Sequence, residues 1–128
     1  MTNVRYIVDD VDAAVEFYTA KLGFEIGMHV PGDFAMLDHS DLRLYLNRPG
    51  AGSAGQPDDA GRSPQPGGWN RFQFVVSDLD ATLAELTHAG VGIRTGIVGG
   101  AGGRQIVIED PSGNPIELFE PKGSSDEP

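Results

Sequence analysis

Residues Glu109–Pro121, E-D-P-S-G-N-P-I-E-L-F-E-P, decide how the rest of the chain is read. Asp110-Pro111-Ser112-Gly113 has the chemistry of a turn: proline presets φ, aspartate offers a side-chain acceptor and glycine tolerates positive φ. Gln105–Glu109 sets an apolar run between polar ends before the turn, and Ile116, Glu117, Leu118 and Phe119 follow it, so the stretch reads as a β-hairpin. It places one carboxylate, Glu117, among apolar neighbours. The pattern alone does not say whether that carboxylate faces solvent or a ligand.

A fainter copy of this hairpin lies upstream. Asp38-His39-Ser40-Asp41 leads into Leu42–Leu46, with Tyr45 standing seven residues after Asp38 as Glu117 stands seven after Asp110. A second pair of anchors precedes these turns: Val4–Val8 runs into Asp10 and a helical stretch, and Arg71–Val76 runs into Asp78 and another. Such self-similarity fixes architecture before any local assignment does. The Asp38–Asp110 offset exceeds the Asp10–Asp78 offset by four residues, which the glycine-rich Gly99–Gly103 accommodates. The chain reads as two related modules.

Within the first module, Asn3–Val8 is an expected strand with Val4, Tyr6 and Val8 on one face and Asn3, Arg5 and Ile7 on the other. Asp10 is the expected N-cap of a helix over Val11–Leu22, buried along Val11, Ala14, Val15, Tyr18 and Leu22 and stopped by Gly23. Strands are expected over Phe24–Val30, Phe34–Asp38 and Leu42–Asn47. Half of Pro49–Gly68 is glycine or proline with no aliphatic larger than alanine, the composition of a linker or lid loop. The second module repeats the order: strand Arg71–Val76, cap Asp78, a helix over Leu79–Ala89 with Leu79, Leu83 and Leu86 inward and Gly90 ending it, then strands near Val91–Thr95, Arg104–Glu109 and Pro115–Phe119. The organisation is thus 1–48 first module, 49–68 linker, 69–121 second module and 122–128 polar, disordered tail. Each βαβββ module has one helix to cover one sheet face. The expected fold is α+β, two tandem modules whose curved mixed sheets enclose a shared cavity.

Bulk properties narrow the function classes. The chain has 128 residues, no cysteine and a net charge of −10. Thiolate metal sites and disulfides are excluded. Nucleic acid is disfavoured, because its phosphates demand a basic surface. No apolar run approaches a membrane span and no signal-peptide pattern opens the chain, so a cytoplasmic protein is the expectation. Negative walls raise the local concentration of cations, which suits a cationic ligand; the plainer reading of the charge is solubility.

The motif V-x-D-x-D-A-A-V-E-F-Y-T-A-K-L-G-F, the internal repeat and D-P-S-G-N-P-I-E-L together resemble the vicinal oxygen chelate superfamily. That group holds glyoxalase I, extradiol dioxygenases, fosfomycin-resistance enzymes and bleomycin-resistance proteins. The resemblance implies the fold and a homodimer more than a function, because one architecture hosts many chemistries. In metal-dependent members a cavity-facing histidine lies seven residues before each capping aspartate, and a carboxylate or histidine lies on the last strand of each module. Those positions here carry Asn3, Tyr45, Arg71 and Glu117, of which only Glu117 matches. Amide, phenol and guanidinium are poor partners for a divalent cation, so no metal and no cofactor is expected. His29, His39 and His88 sit at strand, turn or helix ends and read as structural. Gly99–Gly103 with Arg104 lacks the Lys-Ser/Thr of a phosphate loop.

The expected ligand-binding residues are Asn3, Arg5, Phe34, Tyr45, Trp69, Arg71, Gln73 and Glu117. Arg71 and Glu117 are expected to pair where a metal would stand, and Tyr45, Trp69 and Phe34 to stack on a flat or cationic ligand. The resemblance implies a metal-independent binding protein of the bleomycin-resistance type, sequestering a small molecule such as an antibiotic. Two alternatives stand beside it. One is a lyase, isomerase or dioxygenase acting through Glu117 with Arg71 as an electrostatic clamp. The other is a partner-binding domain whose cavity is filled by its own side chains, with the linker acting as a lid or permitting exchange of modules between subunits.

Overall fold

Two aspartates start the two helices in the computed structural model, which describes residues 2–123. Asp10 accepts a hydrogen bond from the Ala13 N–H at the head of α1 (Val11–Leu22), and Asp78 does the same for Ala81 at the head of α2 (Leu79–His88). Each satisfies a backbone donor that the helix itself leaves open. Gly23 ends α1 in the left-handed conformation at φ 76°. Ala89 caps α2 and Gly90 follows it with positive φ.

Around α1 lie β1 (Asn3–Ile7), β2 (Glu25–Val30), β3 (Phe34–His39) and β4 (Leu42–Asn47), ordered β1-β4-β3-β2. Around α2 lie β5 (Gln73–Val75), β6 (Gly92–Gly99), β7 (Gly103–Glu109) and β8 (Pro115–Pro121), ordered β5-β8-β7-β6. In each sheet the first and last strands of the motif pair in parallel and the remaining pairs are antiparallel. The architecture is α+β with two mixed four-stranded sheets.

The described residues form two units. One runs up to Gly67 and includes Pro111–Asn114; the other holds Gly68–Asp110 and the residues from Pro115 onward. In the first, Tyr6, Val8, Val11, Ala14, Val15, Tyr18, Leu37, Leu44 and Leu46 are buried. Phe17 completes the helix face in place of Leu22, which is half-buried. Edge-to-face contacts join Phe17 to Tyr18 and Tyr18 to Phe24. The core of the second unit is aliphatic: Leu79, Leu86, Ile106, Ile108, Ile116 and Leu118, with Leu83 only half-buried.

Several boundaries differ from the expected ones. β5 spans three residues rather than Arg71–Val76. Pairing nonetheless extends past both of its ends, through Glu117 N–H to the Phe72 carbonyl and Val76 N–H to the Phe119 carbonyl. β6 runs on to Gly99, with register shifts after Ile93 and after Thr95 absorbing its extra length. Within the Gly99–Gly103 stretch only the two end residues are strand, and residues 100–102 form a short turn closed by Gly100 N–H on the Gly103 carbonyl.

Segment 49–68 folds as successive local turns. A short 3-10 turn covers Ser53–Gly55, and Gly50 N–H reaches the Gly55 carbonyl at 2.7 Å. A Cβ on Gly55 would lie 2.8 Å from the Arg48 carbonyl oxygen and 2.7 Å from Gly50 N, so only glycine lets this turn close on the end of β4. The Asp110–Asn114 turn reaches far in sequence: Ser112 Oγ accepts from Asp9 N–H, and Asn114 donates to the Ile7 carbonyl and accepts from Gly67 N–H. Of the expected disordered tail 122–128, only Lys122 and Gly123 fall within the described residues.

Candidate functional site

In both units the polar residues of interest project from the sheet face opposite the helix. Alternation dictates this: Leu44 and Leu46 of β4 are fully buried, so Tyr45 and Asn47 point the other way. Parallel pairing sets Arg5 beside Tyr45 and Gln73 beside Glu117.

In the first unit the structure brings together Asn3, Arg5, Phe34 and Tyr45. Asn3 Nδ2 donates to the Tyr45 hydroxyl at 3.3 Å. The Arg5 guanidinium lies 4.9 Å from the centroid of the Tyr45 ring and donates to Asn47 Oδ1 at 2.9 Å. Phe34 packs on Tyr45 with ring centroids 5.8 Å apart. Asn47, 2 % exposed, passes its own amide protons to the Arg48 carbonyl. A cleft of about 260 Å³ opens here, lined by Arg5, Asp33, Phe34, Asn47 and residues 51–54.

In the second unit Arg71, Gln73 and Glu117 form one hydrogen-bonded group. Glu117 is 9 % exposed. Its Oε1 accepts from Arg71 Nε at 2.9 Å and Nη2 at 2.8 Å, and its Oε2 accepts from Gln73 Nε2 at 2.6 Å. Arg71 also donates to the Trp69 carbonyl. The Trp69 ring is 68 % exposed and lies under Arg94, whose guanidinium sits 4.8 Å from the ring centroid and pairs with Glu109.

Sequence reasoning passed over Asn47, Asp33, Arg94 and Glu109. Asn47 was within reach, since it lies two residues beyond Tyr45 on the same face. Nothing local signals Arg94 over Trp69, because the contact joins a strand to the end of the linker. His29 holds Asp12 at 2.8 Å, and Asp12 also accepts from Gly32 N–H. That backbone bond first and His29 second hold the Asp12 carboxyl below the usual carboxylate range. His39 packs against Phe24.

The donor set does not suit the divalent cation that the resemblance associates with these positions. In the second unit a fixed guanidinium stands where a histidine would, and both Glu117 oxygens already accept from protein donors. In the first unit the corresponding positions hold an amide and a phenol bonded to each other. Among the described residues no group of three or more His, Asp or Glu is placed to hold a metal.

Comparison with known proteins agrees with this architecture. A solved member of the glyoxalase/bleomycin resistance protein/dioxygenase superfamily from Sphaerobacter thermophilus is 25% identical, with a TM-score of 0.74, over 94% of this chain and 96% of its own. A lactoylglutathione lyase from Agrobacterium tumefaciens is 23% identical with a TM-score of 0.71, covering 94% of this chain and 92% of its own. TnmS3, an antibiotic binding protein from Streptomyces sp. CB03234, is 24% identical with a TM-score of 0.65, over 95% of this chain and 98% of its own. No curated protein matches the chain. The model of the Glyoxalase/Bleomycin resistance protein/Dioxygenase superfamily matches residues 1–118. With two βαβββ sheets and that match over nearly its whole length, the chain belongs to this superfamily.

Proposed function

We propose that this chain sequesters a flat aromatic small molecule, of the kind an antibiotic presents, without a metal and without turning it over. The observation that carries the reading is the condition of Glu117. A carboxylate gripped by Arg71 on one oxygen and Gln73 on the other is a poor metal ligand and a poor proton acceptor. Binding needs neither role. The Tyr45 and Phe34 rings of the first unit supply stacking surface, and the exposed Trp69 of the second unit is a separate one. The net charge of −10 favours the approach of a ligand with a cationic group. The likeness of fold to the antibiotic-binding TnmS3 is in keeping with this reading.

The test is calorimetric titration of EDTA-treated protein with a panel of polyaromatic and cationic glycopeptide antibiotics. Saturable binding of at least one member is expected, and Glu117→Gln should retain it. Heat from none of the panel would end the proposal. Turnover of a glyoxalase or dioxygenase substrate by the native chain, lost in Glu117→Gln, would replace sequestration with catalysis. A homodimer and a cytoplasmic location complete the proposal. Light scattering and fractionation of expressing cells test them. No helix among the described residues is long and apolar enough to cross a membrane.

A further inference from the structure

Arg5 stands apart from the other arginines. Arg43, Arg48, Arg62, Arg71, Arg94 and Arg104 each meet a carboxylate at 3.0 Å or closer. Arg5 meets none among the described residues, although acidic residues outnumber basic ones by 19 to 9. Its partners are a neutral amide oxygen, Asn47 Oδ1, and the face of Tyr45. Both partners are themselves fixed: Asn47 is buried and bonded to the Arg48 carbonyl, and Tyr45 is flanked by Phe34 and Asn3. A guanidinium has five N–H donors in a planar fork, and Asn47 engages Nη1 alone. The remaining donors belong to a side chain that lines the first unit's cleft.

The rest of that cleft suits a compact acid. Phe34 supplies an apolar wall, and residues 51–54 border it with small side chains and backbone. Asp33 also borders it, but its carboxylate is engaged by Arg48 Nε at 2.8 Å. The volume of about 260 Å³ lies just below the range of drug-sized pockets and matches a one- or two-ring group.

We infer that this cleft is an anion subsite in which Arg5 takes the carboxylate of a compact aromatic acid while Phe34 contacts its ring. The inference deepens the small-molecule reading above and rests on it. A guanidinium's planar fork matches a carboxylate in two-pronged fashion, and Asn47 leaves the Nε and Nη2 edge of Arg5 for it. The net charge of −10 repels an anion at long range, so any preference for acid over neutral analogue comes from Arg5 itself.

The experiment compares 2-naphthoate with 2-naphthamide by calorimetry at neutral pH, on the native chain, Arg5→Met and Arg5→Lys. The acid should bind about tenfold more tightly than the amide, the scale of one charge-assisted hydrogen-bond set. Arg5→Met should erase that preference, and Arg5→Lys should keep part of it. Amide NMR shifts on adding the acid should fall on Asn47 and residues 51–54, and in Arg5→Met they should need about tenfold more acid to reach the same size while the rest of the spectrum stays in place. Equal affinity for acid and amide, a preference that survives Arg5→Met, or no binding of the acid at millimolar concentration overturns the inference. Antibiotic binding that persists in that event leaves the broader proposal standing. Acid binding through Arg5 with no antibiotic bound would do the reverse.

Discussion

Tyr45 and Glu117 occupy the same place in two copies of one motif, and each is gripped by two residues from the neighbouring parallel segment. Asn3 and Arg5 hold the phenol; Arg71 and Gln73 hold the carboxylate. The backbone register is shared, Arg5 beside Tyr45 and Gln73 beside Glu117. The chemistry has been dealt differently: the first unit sets its cation against an aromatic face, the second against a charge. Strand pairing fixes where a side chain points, and leaves open what it is. A fold shared with a lyase and an antibiotic-binding protein therefore says little about which activity this chain carries.

The contrast can be broken by removing each central group. Glu117→Ala leaves a half-buried guanidinium without its acceptor and should lower unfolding free energy by about 3 kcal/mol in urea denaturation. A loss below about 1 kcal/mol would mean that the pair is replaced by water and that the two units differ less than their side chains suggest. The caps provide the symmetric control. Asp10→Ala and Asp78→Ala should each cost about 1 kcal/mol, because each removes one equivalent side-chain bond to a helix N-terminus. Clearly unequal costs would place the asymmetry in the helices as well as the sheets. Tyr45→Phe keeps the ring beneath Arg5 and removes only the 3.3 Å bond from Asn3, so about 0.5 kcal/mol or less is expected.

The smallest effect is one of pH. The lowered pKa of Asp12 comes chiefly from the Gly32 N–H and then from His29. A group whose folded pKa is depressed contributes stability above its ordinary value of 3.8, and that contribution is lost as pH falls through the folded value. Asp12→Asn should therefore flatten the acid limb of a plot of melting temperature against pH below about 4, without changing it near neutrality beyond a small constant offset. An unchanged acid limb would show that this surface triad contributes nothing measurable. The second unit has no matching His–Asp pair among the bonds of its described residues, so the effect also separates the units.

What the sequence made legible was whatever short-range chemistry decides. Asp10, Asp78 and Gly23 mark helix ends because a cap is a bond over three residues or a single left-handed residue. Alternation in Leu42–Asn47 gave β4 its two faces, and counting from the turns placed Tyr45 and Glu117 at equivalent positions. The Arg71–Glu117 contact followed from the doubled motif rather than from either residue alone. What stayed hidden depends on distant partners. The Arg94–Trp69 stack, the closure of residues 51–54 beside Arg5 and the bonds made by Ser112 and Asn114 all join segments that no local pattern connects. The β6 register shifts were also invisible, since nothing in the local pattern marks the steps between Ile93 and Thr95 and between Thr95 and Val98 where they fall.

The tip of the last hairpin bears on how the chain is made. The Asn114 and Ser112 groups are synthesised 107 and 103 residues after the Ile7 and Asp9 groups that they bond. A nascent chain ending at Gly67 has all of β1 to β4 but still lacks four residues of its own unit. Although the motif is written twice, the earlier copy is finished only by the later one, and cutting the chain in the middle would yield one piece with unmet backbone groups rather than two self-sufficient halves.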